Sequence, residues 1–352
     1  MIQKYTKYRS NSSIDIQQFT ILAHVLKVIK HQQQNDWLMK TIKLLLAITL
    51  FSATMSSCYT EVLVEDPIID EPGISLNQLL SSYELWYVNI NETTGNGEVP
   101  FLQRAFTVSF INGTLYANNN ISGIGTNGNG YGIDVGAYGT DFDFVDIDHD
   151  IDGFYPLRVD QLSVNRIRMV DTSTNTSYYL TGYQRSNFDY DFVFYDNIHY
   201  LLQEFTAWKK IYTSQEGMLN EFDDENFLTF LSGGNDNGFL SSTDTENTAI
   251  ADLIYDYEGV YTIYDVEGDP YSKVLTLDYD YLDNEYFELS VINDETISLF
   301  HPGSGTTYEF QGRGYIQYLR PSSDGNDTRL KQTNKKRKKI INKKFNKDDF
   351  KK

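Results

Sequence analysis

The stretch "AFTVSFINGTLYAN", residues 105–118, decides the reading of the fold. Phe106, Val108 and Phe110 alternate with Thr107 and Ser109, the two-residue period of a strand with one face on a core. Asn112-Gly113 follows, and Leu115 resumes the apolar positions. Asn-Gly accepts positive φ at both centre positions of a tight turn, so the stretch reads as a β-hairpin. Outward from it, runs rich in Tyr, Phe, Val, Ile and Thr are broken by turn residues at intervals of roughly 8 to 12 positions, as in an antiparallel sandwich or small barrel.

One region departs from that rhythm. In "DNIHYLLQEFTAWKKIY", residues 196–212, Ile198, Leu201, Leu202, Phe205, Trp208 and Tyr212 fall on one helical face. Asp196 stands where it can cap the start, and Lys209 and Lys210 suit the negative end of the helix dipole. The spacing predicts a helix over 196–212 and a second, short one at "DDENFLTFL", residues 223–231. On either side lies a weak repeat. Residues 162–182 align without gaps on 292–312, setting Ile167 on Ile297, Met169 on Leu299, Thr176 on Thr306, Tyr178 on Tyr308, Leu180 on Phe310 and Gly182 on Gly312. Both copies read as strand, polar turn, strand. Upstream, "YELWY" from Tyr83 echoes "YEGVY" from Tyr257, which makes the second unit the shorter one.

Trp86 in an early strand, "FINGT" at 110–114 and the closing hairpin "LSVNRIRM…YYLTG" together make the first unit resemble the lipocalin-like domains of Bacteroidota cell-envelope lipoproteins. The resemblance implies a meandering barrel or half-barrel and names no ligand. The expected fold is mainly β, with two small antiparallel lipocalin-like barrel or half-barrel units joined by a short helical segment. The first unit spans 77–190, the helical connector and loop 191–250, and the second, shorter unit 251–320.

The chain ends carry a separate message. From Met39, two lysines precede an apolar run from Leu44 to Phe51, and the small residues Ser52, Ala53, Ser56 and Ser57 precede Cys58, the single cysteine of the 352 residues. A charged n-region, a short apolar core and a small-residue processing site form a secretory signal at 39–57, too short to span a bilayer. "MSSC" resembles a bacterial lipobox, although Met55 stands where an aliphatic residue is usual. The resemblance implies that Cys58 is lipidated and becomes the mature N-terminus, anchoring the protein in the bacterial envelope, at the outer membrane. Residues 1–38 then have no expected role, 58–76 form a tether, and the lysine-rich 321–352 read as a disordered basic tail.

Charge limits the partners. Residues 58–328 hold 10 of the 29 basic and 45 of the 49 acidic residues, a net of −35. Such a body repels nucleic acid, and its membrane contact is expected through the lipid alone. A small-molecule or protein partner stays open.

Few motifs carry chemistry. In "DIDHDIDG" the residues Asp148, Asp150, Asp152 and Gly153 match the opening of a calcium loop, in which alternate carboxylates converge on a hard cation. Val159 holds the twelfth position, where an EF-hand needs a carboxylate. A calcium ion bound there and a plain solvated acidic turn are both open; no other cofactor is expected. In the strand alternative Asp146, Asp148, Asp150 and Asp152 line one face. "GIGTNGNG" contains Gly123, Gly125 and Gly128 in a G-x-G-x-x-G frame but lacks the strand and helix a phosphate cradle needs, so it reads as a loop. The H-x-G-H pair of nicotinate-mononucleotide adenylyltransferases does not occur, and His149, His199 and His301 lack metal-ligand spacing. Ser304 in "PGSG" reads as a hairpin turn. The 14% of aromatic residues suits either strand packing or a sugar-stacking platform. The leading expectation is a lipid-anchored envelope protein with a non-catalytic structural or binding role. The alternatives are a small-ligand or glycan module in the first unit, favoured if a pocket surrounds Trp86, and a hydrolase using a carboxylate pair.

Overall fold

The computed structural model describes residues 74–231, 237–281, 284–316, 336–340 and 343–345. The expected hairpin is there. β2 (Thr107–Ile111) pairs antiparallel with β3 (Thr114–Asn118), and Asn112 and Gly113 take φ of 50° and 84° between them. Before it come α1 (Leu76–Ser81), β1 (Leu85–Thr94) and α2 (Pro100–Arg104); after it come β4 (Ile133–Asp141), β5 (Phe144–His149), β6 (Gly153–Ser163), β7 (Arg166–Asp171) and β8 (Thr176–Tyr183). β8 returns to pair with β1, closing an eight-stranded antiparallel barrel. Its interior is filled by side chains such as Trp86, Val108, Phe110, Ile147, Met169 and Tyr178.

α3 (Tyr190–Asp196) and α4 (Ile198–Leu202) lead into a second barrel: β9 (Phe205–Thr213), β10 (Phe227–Phe230), β11 (Gly238–Ser242), β12 (Tyr257–Val266), β13 (Asp269–Tyr279), β14 (Glu285–Asn293), β15 (Thr296–His301) and β16 (Thr306–Tyr315). The β16–β9 and β11–β12 pairings close it. Two expectations are corrected here. The helix predicted over 196–212 ends at Leu202, and Phe205–Thr213 form the first strand of the second barrel. Pairing on both sides, with β16 and β10, outweighs the local helical spacing. For the same reason 223–231 is the tail of a 3-10 turn, Glu221–Asp224, followed by β10. The second unit therefore starts some fifty residues before 251 and has as many strands as the first.

The two barrels are built on one frame. The Trp86 indole N–H donates to Leu80 O at 2.9 Å, and the Trp208 indole N–H donates to Leu202 O at 2.8 Å, each bolting a preceding helix to a first strand. Trp86 lies opposite Gly182, and Trp208 opposite Gly312. Tyr83 packs edge-on to Trp86 at 5.1 Å, as Phe205 does to Trp208 at 4.8 Å. A Cβ on either glycine would stand 2.5 Å from the Tyr83 or Phe205 ring, so only glycine fits. The hairpins of the sequence repeat coincide as well: Met169 pairs with Tyr178 in β7–β8, and Leu299 with Tyr308 in β15–β16.

The loop holding "GIGTNGNG" clamps one barrel to the other. The N–H groups of Ile121 and Ser122 donate to the buried Glu204 carboxylate at 2.8 and 2.9 Å, and Gly123 N–H donates to Asp294 at 2.7 Å. This glycine-rich loop gathers anions, but they are the protein's own carboxylates. A core cluster continues from Leu85, Tyr87 and Phe106 through Val193, Ile198 and Leu201 to Phe205 and Trp208.

The basic tail is also corrected in part. The Arg337 side chain is buried, donating to Asn197 Oδ1 at 3.2 Å and to the carbonyls of Val88 and Ala105, with its guanidinium 4.3 Å from the Phe106 ring centre. Backbone carbonyls and an aromatic face capture a cation that composition alone would leave in water. β17 (Lys343–Lys344) pairs in parallel with β12 at Tyr264 and Asp265.

Candidate functional site

Cys58 and the signal segment lie outside the described residues. Trp86 is fully buried with its indole satisfied, so it is core rather than the wall of a pocket.

"DIDHDIDG" runs from the end of β5 through a turn at Asp150–Asp152 into β6, with His149 opposite Gly153. Asp148 and Asp150 are exposed, while the Asp152 carboxylate is drawn away to an ion pair with Arg104, the last residue of α2. His149 Nδ1 accepts from the backbone of Ile151 and Asp152 and lies 3.4 Å from the Asp152 carboxylate. The structure does not bring Asp148, Asp150 and Asp152 into one ligand set. Among the described residues no group of three or more His, Cys, Asp or Glu side chains is placed to hold a metal.

Three groups in the second barrel are in triad-like contact. Ser304 Oγ lies 2.8 Å from His301 Nδ1, and His301 Nε2 lies 2.7 Å from Glu285. The first barrel has a hydrogen-bonded turn at the same place, without a counterpart of the His301–Glu285 contact among the described residues. At the repeat-equivalent positions Asp171 accepts from Ser173 and from Thr174 Oγ1, and Thr174 Oγ1 lies 3.0 Å from Thr176 Oγ1. Likewise Ser304 N–H donates to His301 Nδ1, and Ser304 Oγ donates to Thr306 Oγ1 at 2.8 Å. Both are locks on the β-turn before the last strand. Ser304 and His301 are each only 8% exposed.

The barrels diverge where a short helical turn follows the first strand. In the first, α2 buries Phe101 and ends on Arg104, which neutralises Asp152. In the second, the 3-10 turn buries Phe222 and is followed by Glu225, 4% exposed. Among the described residues no ion pair joins Glu225 to a cation, and Lys210 acts on it only through longer-range attraction that opposes the rise in its pKa. It accepts from Tyr279 Oη at 2.8 and 2.9 Å and from Ser241 Oγ. Burial raises its pKa to about 7, against the two hydroxyl donors, with the charge of Glu285 adding to the rise. Tyr279 is in turn held far above the ordinary tyrosine range by burial and by the Glu225 charge. Tyr279 occupies the place of His149: each lies opposite a glycine, Gly259 and Gly136.

Tyr279 is also a wall of a pocket of about 240 Å³, with Leu240, Tyr255, Tyr257, Tyr281, Asp256 and Glu258. Register explains the convergence. The sequence "YDY" occurs at 255–257 and again at 279–281, and antiparallel pairing of Gly259 with Tyr279 brings the two copies together. The Tyr257 and Tyr279 rings meet edge to face at 6.1 Å. Tyr255 Oη is tied to Thr229 Oγ1 at 2.9 Å, and Asp256 accepts from Thr243, while Tyr281 stands 91% exposed at the rim. The lining residues include four tyrosines and two acidic residues and no basic one. That lining suits a cation, since ring faces and carboxylates both attract positive charge.

No protein-family model matches this sequence, and a search of curated proteins gives no match.

Proposed function

We propose that the chain is a lipid-anchored, non-catalytic binding protein of the bacterial cell envelope, tethered through Cys58, whose second barrel takes a small organic cation in the tyrosine pocket. The pocket of Tyr255, Tyr257, Tyr279 and Tyr281 with Asp256 and Glu258 is the observation that carries this reading. Aromatic faces bind ammonium groups by cation–π attraction, and each carboxylate adds Coulomb attraction that a neutral sugar would not feel. The first barrel, the expected ligand holder, carries a compensated Arg104–Asp152 pair at the corresponding turn. The role of His301 and Ser304 as a turn lock supports a non-catalytic protein.

Calorimetric titration with choline, a quaternary ammonium probe, tests the proposal. Saturable binding weakened at least tenfold by Tyr281→Ala, with the fold unchanged by near-ultraviolet circular dichroism, is the expected result. Absence of saturable heat in the wild-type protein, or equal affinity in Tyr281→Ala, overturns it.

A further inference from the structure

β12 has two neighbours along only part of its length. β13 accompanies it from Gly259 to Val266, whereas β11 pairs with Tyr257–Val260 and makes its last contact through Asn237 O, which accepts from Tyr261 N–H at 2.7 Å. Beyond that point one edge of β12 is left by β11. An open edge presents unpaired N–H and C=O groups that template another strand. Here it carries the chain's own Lys343–Lys344, in parallel, and Phe345 N–H donates to Asp265 O at 3.1 Å. Phe345 places its ring 6.0 Å from those of Tyr264 and Tyr286, against a hollow of about 250 Å³ bounded also by Val266, Lys273, Leu289 and Pro302. Lys344 Nζ reaches Glu267 at 3.4 Å.

We infer that the Thr262–Val266 edge of β12 is a strand-addition site for an extended peptide bearing adjacent basic residues followed by an aromatic one, and that Lys343–Phe345 occupy it in cis. Three features specify that partner: main-chain pairing takes an extended segment, the Tyr264 ring and the hollow bounded by Tyr286, Val266 and Leu289 take the aromatic ring, and the net −35 of residues 58–328 favours a basic strand. The cis strand is two residues long, too short to hold firmly, so an external peptide of the same chemistry can displace it. A tethered competitor acts at an effective concentration on the order of millimolar, so removing it exposes the site. This inference is independent of the tyrosine pocket, which lies at the other end of β12 around Tyr257.

The test uses a fluorescein-labelled peptide of residues 341–349, "INKKFNKDD", titrated into the full chain and followed by fluorescence anisotropy. The comparison is the full chain carrying Lys343→Ser, Lys344→Ser and Phe345→Ser, with unchanged near-ultraviolet circular dichroism as the control for folding. The expected result is at least tenfold tighter binding to the triple variant than to wild type, and loss of that binding when Tyr286→Ala is added. Equal binding to both chains, or equal binding of a scrambled peptide, overturns the inference. A wild-type dimer in sedimentation that dissociates on adding the peptide also overturns cis occupancy, because the strand then comes from a second copy.

Discussion

The two barrels share a frame and differ in what they bury beside it. Each bolts a short helix to its first strand through a tryptophan indole, sets that tryptophan opposite a glycine and locks the turn before its last strand with side-chain hydrogen bonds. After the first strand, one barrel places Arg104 against Asp152 and the other places Glu225 against two hydroxyls. The frame is repeated because packing demands it. A neutralised ion pair adds little chemistry, while a buried carboxylate titrating near neutrality beside an aromatic pocket is a position where function and stability compete.

A common frame requires the two tryptophan bolts to be equivalent. Trp86→Ala and Trp208→Ala each remove a fully buried indole and should each cost about 3–5 kcal/mol in denaturant unfolding. A loss for one and none for the other would end the claim of a common frame. Because Leu202 and Phe205 belong to the core cluster that runs on to the first barrel, both losses should appear in a single transition.

Glu225 sharpens the difference between the barrels. Its folded pKa of about 7 lies above the ordinary 4.5, so the folded state holds this proton more tightly than the unfolded chain does. The resulting stabilisation is fully present below pH 4.5 and is lost as pH rises through about 7, a change of about 3 kcal/mol. In Glu225→Gln that fall should vanish, so the wild-type minus variant stability difference should slope across this window. Asp160 and Asp171, whose burial alone would raise them but which hydrogen bonds from Arg168 and Arg158, and from Ser173 and Thr174, hold below the ordinary value, act in the opposite sense at lower pH and cancel in the difference. A flat difference from pH 4.5 to 8 would contradict the buried-carboxylate reading.

A smaller effect belongs to the tail. Arg337→Met keeps much of the stem but leaves Asn197 Oδ1 and the Val88 and Ala105 carbonyls without this donor, and should cost about 1–3 kcal/mol. Removing residues 331–352 should cost at least as much; no loss of melting temperature would return this segment to the disordered tail that its composition implied.

What the sequence revealed follows the range of the interactions involved. Asn112-Gly113 and the paired 162–182 and 292–312 segments were legible because a hairpin is decided by neighbours in the chain. The start of the second barrel was not, because Leu202, Phe205 and Trp208 satisfy helical spacing while their fate is set by β16, about a hundred residues away. One signal was available: Leu79-Leu80 before Trp86 is matched by Leu201-Leu202 before Trp208 at the same spacing. That match, rather than "YELWY" on "YEGVY", gives the true alignment of the first strands. The pocket was announced by the doubled "YDY", yet only the register of β12 on β13 brings the copies together. Nothing local marked Arg104 as the partner that takes Asp152 out of the acidic turn.

The second barrel begins with a helix bolted by Trp208 as the first begins with one bolted by Trp86. Hydrogen exchange of the tryptophan indole N–H groups in ¹⁵N-labelled protein tests it most directly. The Trp86 and Trp208 indoles should exchange slowly and with similar protection, since both are fully buried and donate to a backbone carbonyl. A Trp208 indole that exchanges at the rate of free indole, beside a protected Trp86, would contradict it.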